Sequence, residues 1–218
     1  MLTDIMTLQD LDVYISGYDK NIGILFCFGT SMISRIIQMK TRKNNNEIVP
    51  SHVAMIYKNS IYESTSGEEN VGHKKIHAGV RRWEIPDFIK SEYKKQTDYA
   101  VLTLDEIDVY KADKYIHLPY GKDTILDFLL KDGSDGDSNG LICSQYVNLV
   151  TELLPSRRCP TPADLYRKAK EIIGENKKKY SWRKKNSGTI YSKTRITTKD
   201  IVRDKRDCKQ SICIWGIN

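Results

Sequence analysis

Ser51–Ser66 reads SHVAMIYKNSIYESTS, two runs rich in β-formers, VAMIY and IYES, on either side of the polar pair Lys58-Asn59. Two such runs joined by a short turn specify a β-hairpin. His52 then opens the first strand and Glu63 ends the second, so an imidazole and a carboxylate arrive on adjacent strands.

Upstream, NIGILFCFG (Asn21–Gly29) is an apolar run bounded by glycine and reads as a buried strand. In TSMISRIIQMKTRK, Met32, Ile33, Ile36, Ile37 and Met39 recur at roughly helical spacing behind the capping-type residues Thr30 and Ser31. Downstream, GVRRWEI and YAVLTL supply further strands, giving an antiparallel sheet of four to five strands. The segments DEIDVYKADKYIHL and YGKDTILDFLLK are helix-like, and glycine-rich DGSDGDSNG then breaks the chain before LICSQYVNLV. This last stretch starts a helix at Cys143 whose apolar positions, Val147, Leu149, Val150, Leu153 and Leu154, give it an inner face for the sheet. The pattern predicts an α+β fold, an antiparallel sheet packed against helices that include the cysteine helix.

With 218 residues, 39% hydrophobic and 29% charged, the chain can bury one sizeable core and is not disordered as a whole. The first residues carry acids where a signal peptide needs bases, and no segment approaches membrane-spanning length. The expectation is a soluble protein, cytoplasmic or otherwise, without a signal peptide. Five cysteines, Cys27, Cys143, Cys159, Cys208 and Cys213, form an odd set without tight CxxC spacing, which argues against a disulfide framework and a zinc ribbon. The acidic loop resembles a calcium loop, but counting from Asp132 the twelfth position is Cys143 rather than glutamate, so it reads as a solvent loop. No metal or cofactor is expected.

The net charge of +7 is concentrated near the C-terminus, in ENKKKYSWRKKNSGTIYSKTRITTKDIVRDKRDCKQ. The chain divides into a main domain, residues 1–173, and a basic extension, residues 174–218. The extension reads first as a solvated tail, and Tyr180, Trp182 and Tyr191 interleaved among its bases give contact with nucleic acid or an anionic membrane as the alternative.

The residues that carry chemistry stand in the order His52, Glu63, Cys143. A helix N-terminus and a neighbouring imidazolium both lower a thiol's pKa, and a carboxylate behind the imidazole fixes its tautomer. Taken alone, Cys143 reads as a small core thiol, and it is the joint pattern with His52 and Glu63 that points to a nucleophile. The rival cysteines are poorer: Cys27 lies inside an apolar strand, Cys159 beside Pro160, and Cys208 and Cys213 in the extension. His73 and His77 fall in a polar loop, and His117 near a helix end.

The ordered set GILFCFGTSMISRIIQ, SHV at Ser51–Val53, Tyr62-Glu63, Pro119-Tyr120, Cys143-Ser144 and TPADL at Thr161–Leu165 resembles the permuted papain-like enzymes of the NlpC superfamily, particularly the YiiX/YaeF-like proteins. The likeness spans roughly residues 20–170. The chain departs from that family's pattern at Ile24 and Gln145, where acidic residues are common. The resemblance implies a circularly permuted papain-like fold, with Cys143 as nucleophile, His52 as base and Glu63 as the orienting group. Cys143 and Ser144 begin the nucleophile helix, so Ser144 is a candidate for substrate or oxyanion contact, and Tyr120 is a pocket wall, a second oxyanion donor or a packed core tyrosine. It further implies a cysteine-dependent hydrolase acting on a peptide, a cell-wall peptide or another acyl amide. The alternatives are a lipid acyltransferase or esterase of the same superfamily, and a non-catalytic binding module with a basic tail.

Overall fold

The structure, a computed structural model, describes residues 1–17, 22–71, 73–122 and 140–186, with the side chains of residues 71, 74 and 176–186 excepted. Its elements in chain order are α1 (Leu8–Ser16), β1 (Ile22–Gly29), α2 (Met32–Thr41), β2 (His52–Tyr57), β3 (Ser60–Thr65), β4 (Glu69–Val71), β5 (Lys74–Ile76), β6 (Gly79–Glu84), α3 (Ile85–Glu92), β7 (Thr97–Thr103), α4 (Val109–Lys114), α5 (Cys143–Thr151) and α6 (Pro162–Asn186). Five strands form one antiparallel sheet in the order β6-β3-β2-β1-β7, and β4-β5 form a separate small hairpin. The protein is therefore α+β, as the strand pattern predicts.

β1 is apolar along its length because both of its faces are covered. Ile24, Phe26 and Phe28 join Val53, Met55, Tyr146, Val147 and Leu165 in one core, while Leu25 and Cys27 join Leu11, Ile56, Ile61, Trp83, Phe88 and Tyr99 in a second on the opposite face. α5 and α6 thus lie on one side of the sheet and α1 and α3 on the other. The free edge of β7 is covered by the N-terminal segment, with Met6 and Tyr99 exchanging backbone hydrogen bonds of 2.7 and 2.8 Å.

The Lys58-Asn59 turn closes the predicted hairpin, with Tyr57 opposite Ser60 and Lys58 at φ 53°. α1, with a Thr7–Asp10 capping box, and α3, with proline in its first turn, were not expected from the sequence. Of the two helix-like segments after β7, the first is reduced to α4, capped by Asp108 at its start and followed by His117 at φ 75°. Most of the second, and the acidic loop up to residue 139, lie outside the described residues. α2 forms as expected, capped by Ser31, but Ile37 is its one buried apolar side chain. The stretch containing His73 and His77 is not a plain loop, since β5 lies between them.

α6 runs without a break through Gly174 as far as Asn186. Residues 187–218, with Tyr191, Cys208 and Cys213, and the side chains of Tyr180 and Trp182, lie outside the described residues, as do the expected nucleic-acid or membrane contacts of the extension. No helix among the described residues is long and apolar enough to cross a membrane.

Candidate active site

β2 starts where β1 ends, because Ser51 donates its N–H to the Cys27 carbonyl (3.0 Å) and its hydroxyl accepts the Gly29 N–H (3.3 Å). That registration places His52 opposite Cys27 at the rim of the sheet. The hairpin register sets Glu63 on the same face, and His52 Nε2 lies 2.7 Å from Glu63 Oε2. The neighbouring β6 completes the carboxylate's shell. Arg81 stands directly opposite Glu63, and Trp83 follows two residues later on the same face. Glu63 Oε1 accepts hydrogen bonds from Trp83 Nε1 (2.7 Å) and Arg81 Nε (2.9 Å), with Arg81 Nη2 at 2.8 Å. The Arg81 guanidinium lies 4.3 Å from the centre of the Trp83 ring, so the two donors also hold each other.

From Arg81 the polar chain continues outward. Its Nη1 donates to the carbonyls of Gly67 (3.1 Å) and His77 (3.4 Å), and Nη2 reaches Glu69 (3.4 Å). Lys95 bridges Glu69 and Glu92 at 2.7 Å each, and the Tyr99 hydroxyl donates to Glu92 (2.8 Å). Three carboxylates, Glu63, Glu69 and Glu92, therefore face two permanent cations, Arg81 and Lys95, and a protonated His52 evens the charge.

On the other side, the chain enters α5 through a narrow passage. At Gly140 a Cβ would sit 2.4 Å from the Pro119 carbonyl oxygen and 2.7 Å from the Tyr120 carbonyl carbon, so only glycine fits between these backbones. Leu141 donates its N–H to the Pro119 carbonyl (3.1 Å), and the Ser64 hydroxyl on β3 donates to the Leu141 carbonyl. Cys143 is the first residue of α5, where backbone N–H groups have no partner within the helix. Gln145 closes the helix start by accepting the Ile142 N–H at 3.1 Å. A neutral amide there caps the turn without adding a negative charge beside the thiol.

Cys143 and His52 line the same cleft, and the sulfur is near enough to the imidazole to favour its charged form. With Nε2 committed to Glu63, Nδ1 is the nitrogen left for the thiol. Burial works against the imidazolium, but the Cys143 sulfur and the Glu63 carboxylate together outweigh it and push the His52 pKa up to about 10. For Glu63, burial is likewise opposed by His52 and Arg81, which hold the carboxyl far below the usual range. Cys27 shows the opposite case. Burial, followed by the charges of Glu92, Glu63 and Cys143, pushes its thiol up, so it stays protonated.

His52, Glu63, Tyr120, Cys143 and Ser144 all line one cleft of about 660 Å³. Burial and the negative charges of Cys143 and Glu63 push the Tyr120 phenol up, so it is a hydrogen-bond donor throughout the neutral range. Ser144 is fully buried, and its hydroxyl has no partner among the described residues. The far wall consists of α2, through Ile33, Ile37 and Lys40, and of the Arg157–Pro162 segment. Asn148 on α5 ties that segment down by donating to the carbonyls of Leu154 (2.9 Å) and Arg157 (3.0 Å).

All five sequence-predicted residues thus meet in one place. Arg81 and Trp83 were missed, although their spacing of two in GVRRWEI marked them as sharing a strand face. What the sequence lacked was the register that sets Arg81 against Glu63, because the intervening residues form a second hairpin. Comparison of the chain with protein-family models, with curated proteins and with solved structures found no match.

Proposed function

We propose that the protein is a cysteine-dependent hydrolase that cleaves an amide bond through an acyl-enzyme on Cys143, built on a permuted papain-like fold. The observation that carries this reading is the chain of contacts from Glu63 through His52 to Cys143 at the start of a helix, on an open cleft. The order histidine strand, carboxylate strand, cysteine helix along the chain supports the permuted arrangement.

In this mechanism the Cys143 thiolate attacks the carbonyl carbon, and the carbonyl electron pair moves to oxygen. The N–H groups at the start of α5 and the Tyr120 phenol are the donors available to that oxyanion. Collapse of the tetrahedral adduct breaks the C–N bond while His52 delivers its proton to the departing nitrogen. Water then attacks the thioester, His52 accepts its proton, and release of the acid restores the thiolate. An amine leaves only when protonated, and an imidazole held as imidazolium to about pH 10 suits an amide better than an ester.

Intact-mass measurement after exposure to N-acyl amides, cell-wall peptide fragments and phospholipids tests the proposal. The expected result is an added acyl mass, lost in Cys143→Ala. Absence of any adduct, together with a Cys143 that iodoacetamide does not alkylate in the native protein, overturns it.

A further inference from the structure

α2 carries an apolar pattern that the core does not use. Met32, Ile33 and Met39 are 76%, 56% and 58% exposed, and Ile36 is half-buried. On a helical projection Met32, Ile36 and Met39 fall within one narrow stripe, with Ile33 at its side. Ile37 and Thr41 face the body of the protein instead. Isolated exposed apolar residues are ordinary, but a cluster on one short helix at the mouth of a cleft is not.

Along the chain, the charge of the segment that carries this stripe has a single sign, Glu47 being the first acid after it. Between Ile22 and Asn46 there is no aspartate or glutamate, whereas Arg35, Arg42 and Lys43 are exposed in or just beyond the helix. An exposed apolar stripe flanked by bases and free of acids is the composition of a helix that lies in the plane of an anionic bilayer. The same helix forms one wall of the cleft through Ile33 and Ile37.

We infer that α2 is a membrane-docking helix that seats the mouth of the cleft on an anionic lipid surface. Met32, Ile36 and Met39 enter the headgroup–acyl boundary, Arg35, Arg42 and Lys43 contact lipid phosphates, and the cleft opens toward the acyl region. The basic extension can only add to this attraction. The docking goes beyond the hydrolase reading and does not need the thiol.

The test is flotation of the full-length protein with vesicles of phosphatidylcholine alone and of phosphatidylcholine with phosphatidylserine. The wild-type protein is expected to float with the anionic vesicles and to stay behind with the neutral ones. A triple variant, Met32→Ser with Ile36→Ser and Met39→Ser, should partition about tenfold more weakly or worse. Arg35→Gln with Lys43→Gln should weaken partitioning about fivefold per charge removed. Cys143→Ala should float like the wild type, which separates this inference from the hydrolase proposal. Unchanged flotation of the triple variant, with a wild-type circular dichroism spectrum, overturns the inference and assigns the attraction to the extension. Failure of the wild type to float, or capture by α2 of an acidic peptide but not of vesicles, overturns it as well.

Discussion

On the sheet side of the cleft the Glu63 carboxylate is held by His52, Arg81 and Trp83, and Arg81 is in turn held by two carbonyls and a second carboxylate. On the α2 side, Ile37 is the one apolar side chain fully buried, and its neighbours on the helix face outward. The first wall is fixed by directional bonds before any substrate arrives. The second has fewer such bonds: Gln38 Nε2 donates to the Gly29 carbonyl (3.1 Å), Arg167 donates to the Thr41 carbonyl, and Ile37 is the main apolar anchor. Such a division fits a site in which the reacting groups require a fixed geometry and the bound chain does not.

The largest expected effect falls on chemistry alone. Cys143→Ala should reduce turnover to background while lowering stability by about 1 kcal/mol or less, because a small side chain at a cleft leaves little cavity. A variant that keeps turnover would remove the sheet-side wall from the chemistry. Next is Arg81→Leu, which strips a buried carboxylate of its cation and should cost about 3–5 kcal/mol in urea unfolding. Met39→Ser, on the exposed face of α2, should change stability by no more than about 0.5 kcal/mol. Equal costs for the two substitutions would break the contrast between the walls.

The pH dependence sharpens the same contrast. His52 has its pKa raised from 6.5 to about 10, so the stability contributed by its imidazolium is fully present below pH 6.5 and is lost as pH rises through about 10. Glu63 has its pKa lowered, so its contribution is present above the usual carboxylate value and is lost as pH falls toward the folded-state value. Stability should therefore hold a plateau across the neutral range. Turnover should fall on the alkaline side as His52 loses the proton that it gives to the leaving group. Iodoacetamide at pH 6 should label Cys143 ahead of Cys27, and His52→Ala should slow that labelling several-fold. An alkaline limb that survives in His52→Ala would assign the proton to another group.

The sheet, the hairpin and the cysteine helix were legible because each is written locally. VAMIY, IYES and CSQYVNLV state their own periodicity, and the turn at Lys58-Asn59 states the hairpin register. That register alone places His52 and Glu63 on one face. Arg81 and Trp83 could not be assigned because the pairing of β6 with β3 spans the β4-β5 hairpin, and such long-range register is not a local property. The helical spacing in α2 specifies a helix, yet periodicity reports only that apolar residues share a face, not what covers that face. α1 and α3 went unassigned because their acid-rich sequences, LQDLDVYIS and IPDFIKSE, carry only two or three buried positions each.

The smallest predicted effect concerns Ser144. A hydroxyl buried without a partner costs free energy that its removal recovers, and Ser→Ala leaves a cavity of only one oxygen atom. Ser144→Ala should therefore be neutral or raise stability, by at most about 1 kcal/mol. Ser144 lies beside Cys143 among the residues lining the cleft, but its hydroxyl is covered in the free protein, so it meets a substrate only where binding uncovers it. The two effects then have opposite signs: the Tm of Ser144→Ala should rise or hold, while its KM should increase a few-fold with kcat changed less. A fall in Tm would mean that the hydroxyl has a structural partner in the free protein. An unchanged KM would leave substrate contact to the helix N-terminus and Tyr120, and would make the sheet-side wall a device for positioning His52 alone.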